Sequence, residues 1–206
     1  MVDFGTEQEQ FWAGQFGDDY SDRNVGADWI AANTALFAKV LDRTRGVKSV
    51  IEYGPNIGLN LRALHTLIAG ASLTGVEINA HAAEALRNWG HCDVREQSIL
   101  EFSPDTEWDF ALIKGVLIHI NPDALSRVYD LLYKSSRKYI CLVEYFNPSA
   151  IALPYRGHED RLFKRDFAGE MLDRFSDLEL VDYGFCYRRD PNFPQDDVTW
   201  FLLKKS

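Results

Sequence analysis

Strand-like apolar runs and helical segments alternate through the middle of this chain. The runs are Ser49–Tyr53, Ser72–Ile78, Trp108–Ile113 and Tyr139–Glu144, with a shorter candidate at Asp93–Ser98; helical spacing falls at Leu59–Ala69, Ala80–Trp89 and Pro122–Ser135. This alternation implies a parallel sheet with helices on both faces, because each parallel crossover needs a long, usually helical, connection. The right-handed crossover rule makes the sheet doubly wound. The last two runs, Leu178–Tyr187 and Val198–Lys204, have no helix between them, so an antiparallel hairpin is expected at one edge. The expected fold is α/β: a doubly wound, mostly parallel, seven-stranded, Rossmann-like sheet. A further helix is expected over residues 27–44, where Trp29, Ile30, Leu36, Phe37, Val40 and Leu41 form an apolar stripe. Residues 145–165 read as irregular, and Phe167–Phe175 as a helix.

The 206 residues suit one domain, here 1–206, with 1–45 as an N-terminal helical lid and 145–175 as a substrate-side insertion. At 46% hydrophobic residues the chain carries enough apolar side chains to exclude extended disorder. A net charge of −9, with no long basic run, argues against nucleic acid and against anionic membrane surfaces. Cys92, Cys141 and Cys186 lie far apart and form neither a zinc pattern nor a disulfide framework, so no metal is expected. The amino-terminal residues lack an apolar signal core, and no run has transmembrane length. The expectation is a cytoplasmic protein, monomer or homodimer, acting on a small molecule.

The first strand runs into Gly54-Pro55-Asn56-Ile57-Gly58. In an open α/β sheet the ligand sits at such a carboxyl end. A pyrophosphate needs a middle glycine and backbone N–H groups. Here the middle residue is Asn56, and Pro55 has no N–H. Glu52, at the end of the strand, would repel phosphate but attract a cation. S-adenosylmethionine (SAM) carries an ammonium and a sulfonium. Glu77, ending the second strand beside Ile78, is placed to accept hydrogen bonds from ribose hydroxyls. The cofactor expectation is therefore SAM, held by Glu52, Gly54, Asn56, Gly58, Glu77 and Ile78.

On these residues and on longer segments the chain resembles the class I SAM-dependent methyltransferases. It is similar in particular to the pseudaminic acid biosynthesis-associated methylases, through FWAGQFGDDYSDRN, GPNIGLNLRAL, KGVLIHINPD, EYFNP, YRGHEDRLFKRDFAGEML and DYGFCYRRDPNFPQDDVTWFLL. The resemblance implies an N- or O-methyltransferase acting on a small polar molecule, such as an amino or acidic sugar or a sugar nucleotide. It also implies further cofactor residues: Ser98 and Ile99 at the adenine, Lys114, Gly115 and Val116 along the cofactor, and Arg23 with Tyr20 at its carboxylate. Ser98 reads equally as an ordinary strand end, and Arg23 as a solvated cation.

Glu144, Tyr145 and Asn147 sit at the carboxyl end of the fifth strand, where the acceptor is expected. Glu144, Tyr145 and His119 are the catalytic candidates, with Glu144 and His119 as possible bases. His119 is equally readable as structural. Tyr155, Arg156, His158, Lys164 and Arg165 lie in the long connection and offer groups for a carboxylate or phosphate. Asp196 and Asp197 suit amines or hydroxyls, or merely solvate a turn. Other readings are a nucleoside-type or amine/guanidine natural product as acceptor, a nicotinamide-dependent sugar-nucleotide oxidoreductase, and a SAM-fold protein without activity.

Overall fold

A computed structural model describes residues 4–206, with residues 158–161 described in backbone only. Seven strands form one sheet: β1 (Ser49–Tyr53), β2 (Ser72–Glu77), β3 (Asp93–Glu96), β4 (Trp108–Lys114), β5 (Ser136–Glu144), β8 (Leu178–Cys186) and β9 (Val198–Lys205). Their order is β3-β2-β1-β4-β5-β9-β8. The first five are parallel, and β9 runs antiparallel between β5 and β8. The expected hairpin therefore closes one edge.

Successive strand side chains point to opposite faces, and both faces of the central strands β1, β4 and β5 are covered, so these are largely apolar, whereas the edge strands β3 and β8 are mostly exposed. One face buries Ile51, Tyr53, Ile113, Ile140 and Leu142 beneath α6 (Leu125–Ser135) and α7 (Phe167–Arg174). The other buries Val50, Phe110, Leu112, Cys141 and Leu202 beneath α3 (Ala27–Leu41), α4 (Leu59–Leu67) and α5 (Ala80–Trp89). α3 is thus a layer of the sandwich, because Leu36, Phe37 and Val40 are buried on the sheet. α1 (Glu7–Ala13) and α2 (Gln15–Arg23) reach the cavity at the carboxyl ends of the strands, as does the first half of α3 through Trp29 and Asn33. Among the described residues no helix is long and apolar enough to cross a membrane.

The segment 145–165 is not irregular. It holds β6 (Ile151–Tyr155) and β7 (His158–Lys164), a separate antiparallel hairpin. Two features hide it in the sequence. Pro154 sits inside β6, where the register shifts between Leu153 and Tyr155. The turn is Arg156-Gly157, with φ of 49° and 86°, in place of the usual Asn-Gly. Leu162, Leu153 and Tyr155 pack against the main core and hold the hairpin beside the sheet's carboxyl edge.

Candidate active site

The chain leaves β1 toward β2 on one side and later returns to β4 on the other. The gap between the carboxyl ends of β1 and β4 is the switch point where such sheets bind ligands. A cavity of about 250 Å³ opens there.

Its floor is the first turn. Gly54 has φ +71°, and a Cβ there would lie 2.6 Å from Val116 Cγ2. Asn56 also adopts a left-handed conformation, with φ of 52°. Its N–H donates to Glu77 Oε2 at 2.8 Å, and the other Glu77 oxygen accepts from the Asn79 N–H at 2.9 Å. Two backbone donors thus fix a carboxylate at the cavity wall, each oxygen keeping a lone pair for a ligand hydroxyl. Burial raises the Glu77 pKa and these bonds oppose the rise.

Glu52 lies below this floor, wholly buried. It accepts from Asn60 Nδ2 at 2.6 Å. Asn60 lines the cavity, and its Oδ1 has no protein partner. The expected cation attraction of Glu52 therefore reaches the cavity through Asn60. Burial pushes the Glu52 carboxyl up to about 7, with Asn60 and Lys114 opposing. Lys114 Nζ donates to Asn33 Oδ1 at 3.1 Å, which also accepts from Gln195 Nε2 at 2.9 Å. Burial lowers the Lys114 pKa.

The lid is tied to these turns by polar contacts. Asn56 Nδ2 donates to Ser21 Oγ at 2.9 Å, and Asn79 Nδ2 to Asp18 Oδ1 at 2.8 Å. The Ser98 hydroxyl donates to Glu9 and accepts from the Leu100 N–H. Glu9 itself closes the capping box of α1 with Thr6. Aromatic rings fill the space above: Trp12 lies 5.3 Å from Tyr20 and 4.7 Å from His119, and His119 4.8 Å from Tyr155.

Of the residues expected in the site, Tyr20, Gly54, Asn56, Glu77, Ile78, Ser98, Ile99, Lys114, Gly115, Val116, His119, Tyr145, Tyr155 and Asp196 line this cavity. The others do not. Glu144, expected to face the acceptor, is buried, and its Oε1 accepts from the N–H groups of Val116 and Leu117, both at 3.0 Å. It caps the 3-10 turn Leu117–His119, and burial pushes its carboxyl up to about 7. A carboxylate so engaged positions the loop; its Oε2 has no protein partner, and Glu144 does not line the cavity. Gly58, with φ +83°, faces Leu86, and a Cβ there would meet Leu86 Cδ1 at 2.4 Å. Arg23 is exposed, 5.8 Å from the Phe16 ring centre. Asn147 donates to the Ser149 carbonyl. Arg156 is exposed at the hairpin turn, Lys164 lies over the Tyr145 ring at 4.6 Å, and Arg165 pairs with Glu170 at 2.6 Å. Asp197 accepts from the Arg188 N–H at 3.0 Å. The side chain of His158 lies outside the described residues.

Glu9, Asn33, Asn60 and Gln195 also line the cavity. Glu9 had a local signal, the Thr6-x-x-Glu9 capping pattern. The Asn33–Gln195 contact joins residues 162 apart and has none.

No family model and no curated protein matches this sequence. Solved structures share its fold. The mitomycin 7-O-methyltransferase MmcR superimposes with a TM-score of 0.70 at 15% identity, over 98% of this chain and 61% of that one. This chain thus spans about three fifths of that enzyme's length. A Burkholderia thailandensis 1,6-didemethyltoxoflavin-N1-methyltransferase, solved with 1,6-didemethyltoxoflavin and S-adenosylhomocysteine (SAH), gives 0.70 at 16%, over 96% of this chain and 87% of that one. The magnesium protoporphyrin IX methyltransferase of Synechocystis PCC 6803, solved with SAH, gives 0.71 at 14%, over 96% and 97%. At these identities the likeness is one of fold, and the fold is that of the class I methyltransferases.

Proposed function

We propose that this protein is a SAM-dependent methyltransferase acting on a nitrogen or oxygen of a small polar acceptor. The sequence resemblance favours an amino sugar, an acidic sugar or a sugar nucleotide. One observation carries the cofactor reading: at the switch point Asn56, tied to Glu77 through its N–H and to Ser21 through its side chain, stands where a dinucleotide fold needs a bare glycine against the pyrophosphate.

The donor set fits SAM. Glu77 would hold the ribose hydroxyls, and Asn60, oriented by Glu52, would accept from the ammonium. Trp12 Nε1 and Asn60 Oδ1 are buried polar atoms without a protein partner in residues that line the cavity, as expected where a polar ligand completes them. Ile78, Ile99 and Val116 supply apolar contact for the adenine. Bound there, SAM supplies a methyl group already activated by the sulfonium. The protein then aligns the acceptor and excludes water. Glu144 holds the loop that carries His119. His119, Tyr145 and Asp196 stand on the acceptor side.

Calorimetry with SAH and with NAD tests the assignment. Binding of SAH and not of NAD is expected. Binding of NAD alone would replace it with an oxidoreductase.

A further inference from the structure

Tyr20, Tyr145, Tyr155 and Asp196 come from four separate segments and meet on the acceptor side of one cavity. Tyr145 and Asp196 face the same cavity, and the charge of Asp196 bears on the Tyr145 phenol. Trp12 adds a ring 5.3 Å from Tyr20 and 6.4 Å from Tyr155. We propose that this box of aromatic rings closed by the Asp196 carboxylate receives an amine, and that the methyl acceptor is its nitrogen. The proposal rests on the methyltransferase reading.

Charge placement supports it. Glu9, Glu77 and Asp196 line the cavity, with Lys114 as the only Lys or Arg among its described lining residues; Lys114 feels Asp196 and is itself bonded to Asn33. Glu9 and Glu77 are engaged by the hydrogen bonds of the lid and the first turn. Asp196 makes no ion pair with a described residue, whereas its neighbour Asp197 holds Arg188. The cations expected for an acidic acceptor, Arg156, Lys164 and Arg165, do not line the cavity, although Lys164 stands 4.6 Å from the Tyr145 ring centre and the charge of Arg156 reaches Tyr20. Burial and the charge of Asp196 both raise the pKa of Tyr20 and Tyr145, so these phenols stay protonated and neutral.

The chemistry points the same way. The amine gives one proton to solvent on entry. Its lone pair then forms the N–C bond as the C–S bond breaks, and that electron pair goes to sulfur. The positive charge moves from sulfur to nitrogen. Aromatic faces and a carboxylate stabilise a cation at that position. A hydroxyl acceptor would end neutral: Asp196 could take its proton, but no cation would remain for the ring faces to stabilise.

The probe is methylammonium chloride, titrated at constant ionic strength into SAH-saturated protein and followed by quenching of tryptophan fluorescence. Saturable binding is expected, weakened about fivefold or more in Asp196→Asn and less in Tyr145→Phe. SAH affinity and the melting temperature should hold in both variants. Absence of saturation, or equal binding in Asp196→Asn, overturns the proposal. So does a loss of SAH affinity in Asp196→Asn, which would place Asp196 on the cofactor's own ammonium. Failure of the wild-type protein to bind SAH sinks the methyltransferase reading itself, before methylammonium is added.

Discussion

The two walls of the cavity are built by different means. The wall we assign to the cofactor stands on the ends of β1, β2 and β4, and its side chains are held by backbone and buried partners: Glu77 by two N–H groups, Asn60 by Glu52. The wall we assign to the acceptor is assembled from the α1–α2 segment, the residue after β5, the tip of the β6–β7 hairpin and the β8–β9 loop, with aromatic contacts and one exposed carboxylate, Asp196. Rigid strand ends suit a ligand that never changes. Loops and a hairpin can vary without disturbing the sheet, which suits a substrate that differs between relatives.

The largest effect is expected on the cofactor wall. Gly54→Val places a β-branched residue at φ +71° and drives Cβ to within 2.6 Å of Val116. SAH binding should vanish in calorimetry while the circular dichroism of the sheet and helices persists. Retained binding would show that the first turn is not the seat.

The buried acids come next. Glu52 and Glu144 titrate near 7 in the fold, raised first by burial, against an ordinary 4.5. Each holds its proton more tightly folded than unfolded. Their contribution is therefore full below the unfolded value and is lost as pH rises through about 7. It amounts to roughly 3 kcal/mol per group. Melting temperature should fall between about pH 5 and about pH 8, and Glu144→Gln should flatten part of that slope. An unchanged slope would mean that Glu144 ionises freely. If Glu144→Gln instead lost turnover with an unaltered melting profile, the residue would belong with the acceptor after all.

Glu77→Gln keeps the shape but weakens both the backbone clasp and any ribose contact. SAH affinity should fall roughly tenfold to a hundredfold, about 1.4 to 3 kcal/mol. The smallest effect belongs to the hairpin. Arg156 occupies a left-handed conformation at φ +49°, which Asn tolerates better. Arg156→Asn should raise stability by about 1 kcal/mol or less and leave SAH affinity unchanged. A rise in acceptor KM in the same variant would bring the arginine into the substrate's path.

The same division separates what was readable in advance. The main strands fall within a few residues of their expected bounds, because alternation of buried runs with helices is a local pattern. The first turn was readable for the same reason: Asn56 and Pro55 exclude a phosphate cradle by their chemistry, whatever surrounds them. The β6–β7 hairpin was hidden by Pro154 and an unusual turn, and it is a strand pair only because Leu153, Tyr155 and Leu162 find a core to pack on.

From the sequence alone came the layered α/β sheet, its hairpin edge and a first turn suited to a cationic cofactor. Those properties follow from residue periodicity, from glycine at left-handed positions and from charge along one short segment. The tertiary structure decided which polar groups face the cavity. Glu52 and Glu144 have the strand-end position of ligand-contacting acids, yet Asn60 and the 116–117 backbone take them up beneath the floor. Asp196, 51 residues from Tyr145, comes to line the same cavity. Such pairings depend on distances closed by the whole fold, and no local pattern encodes them.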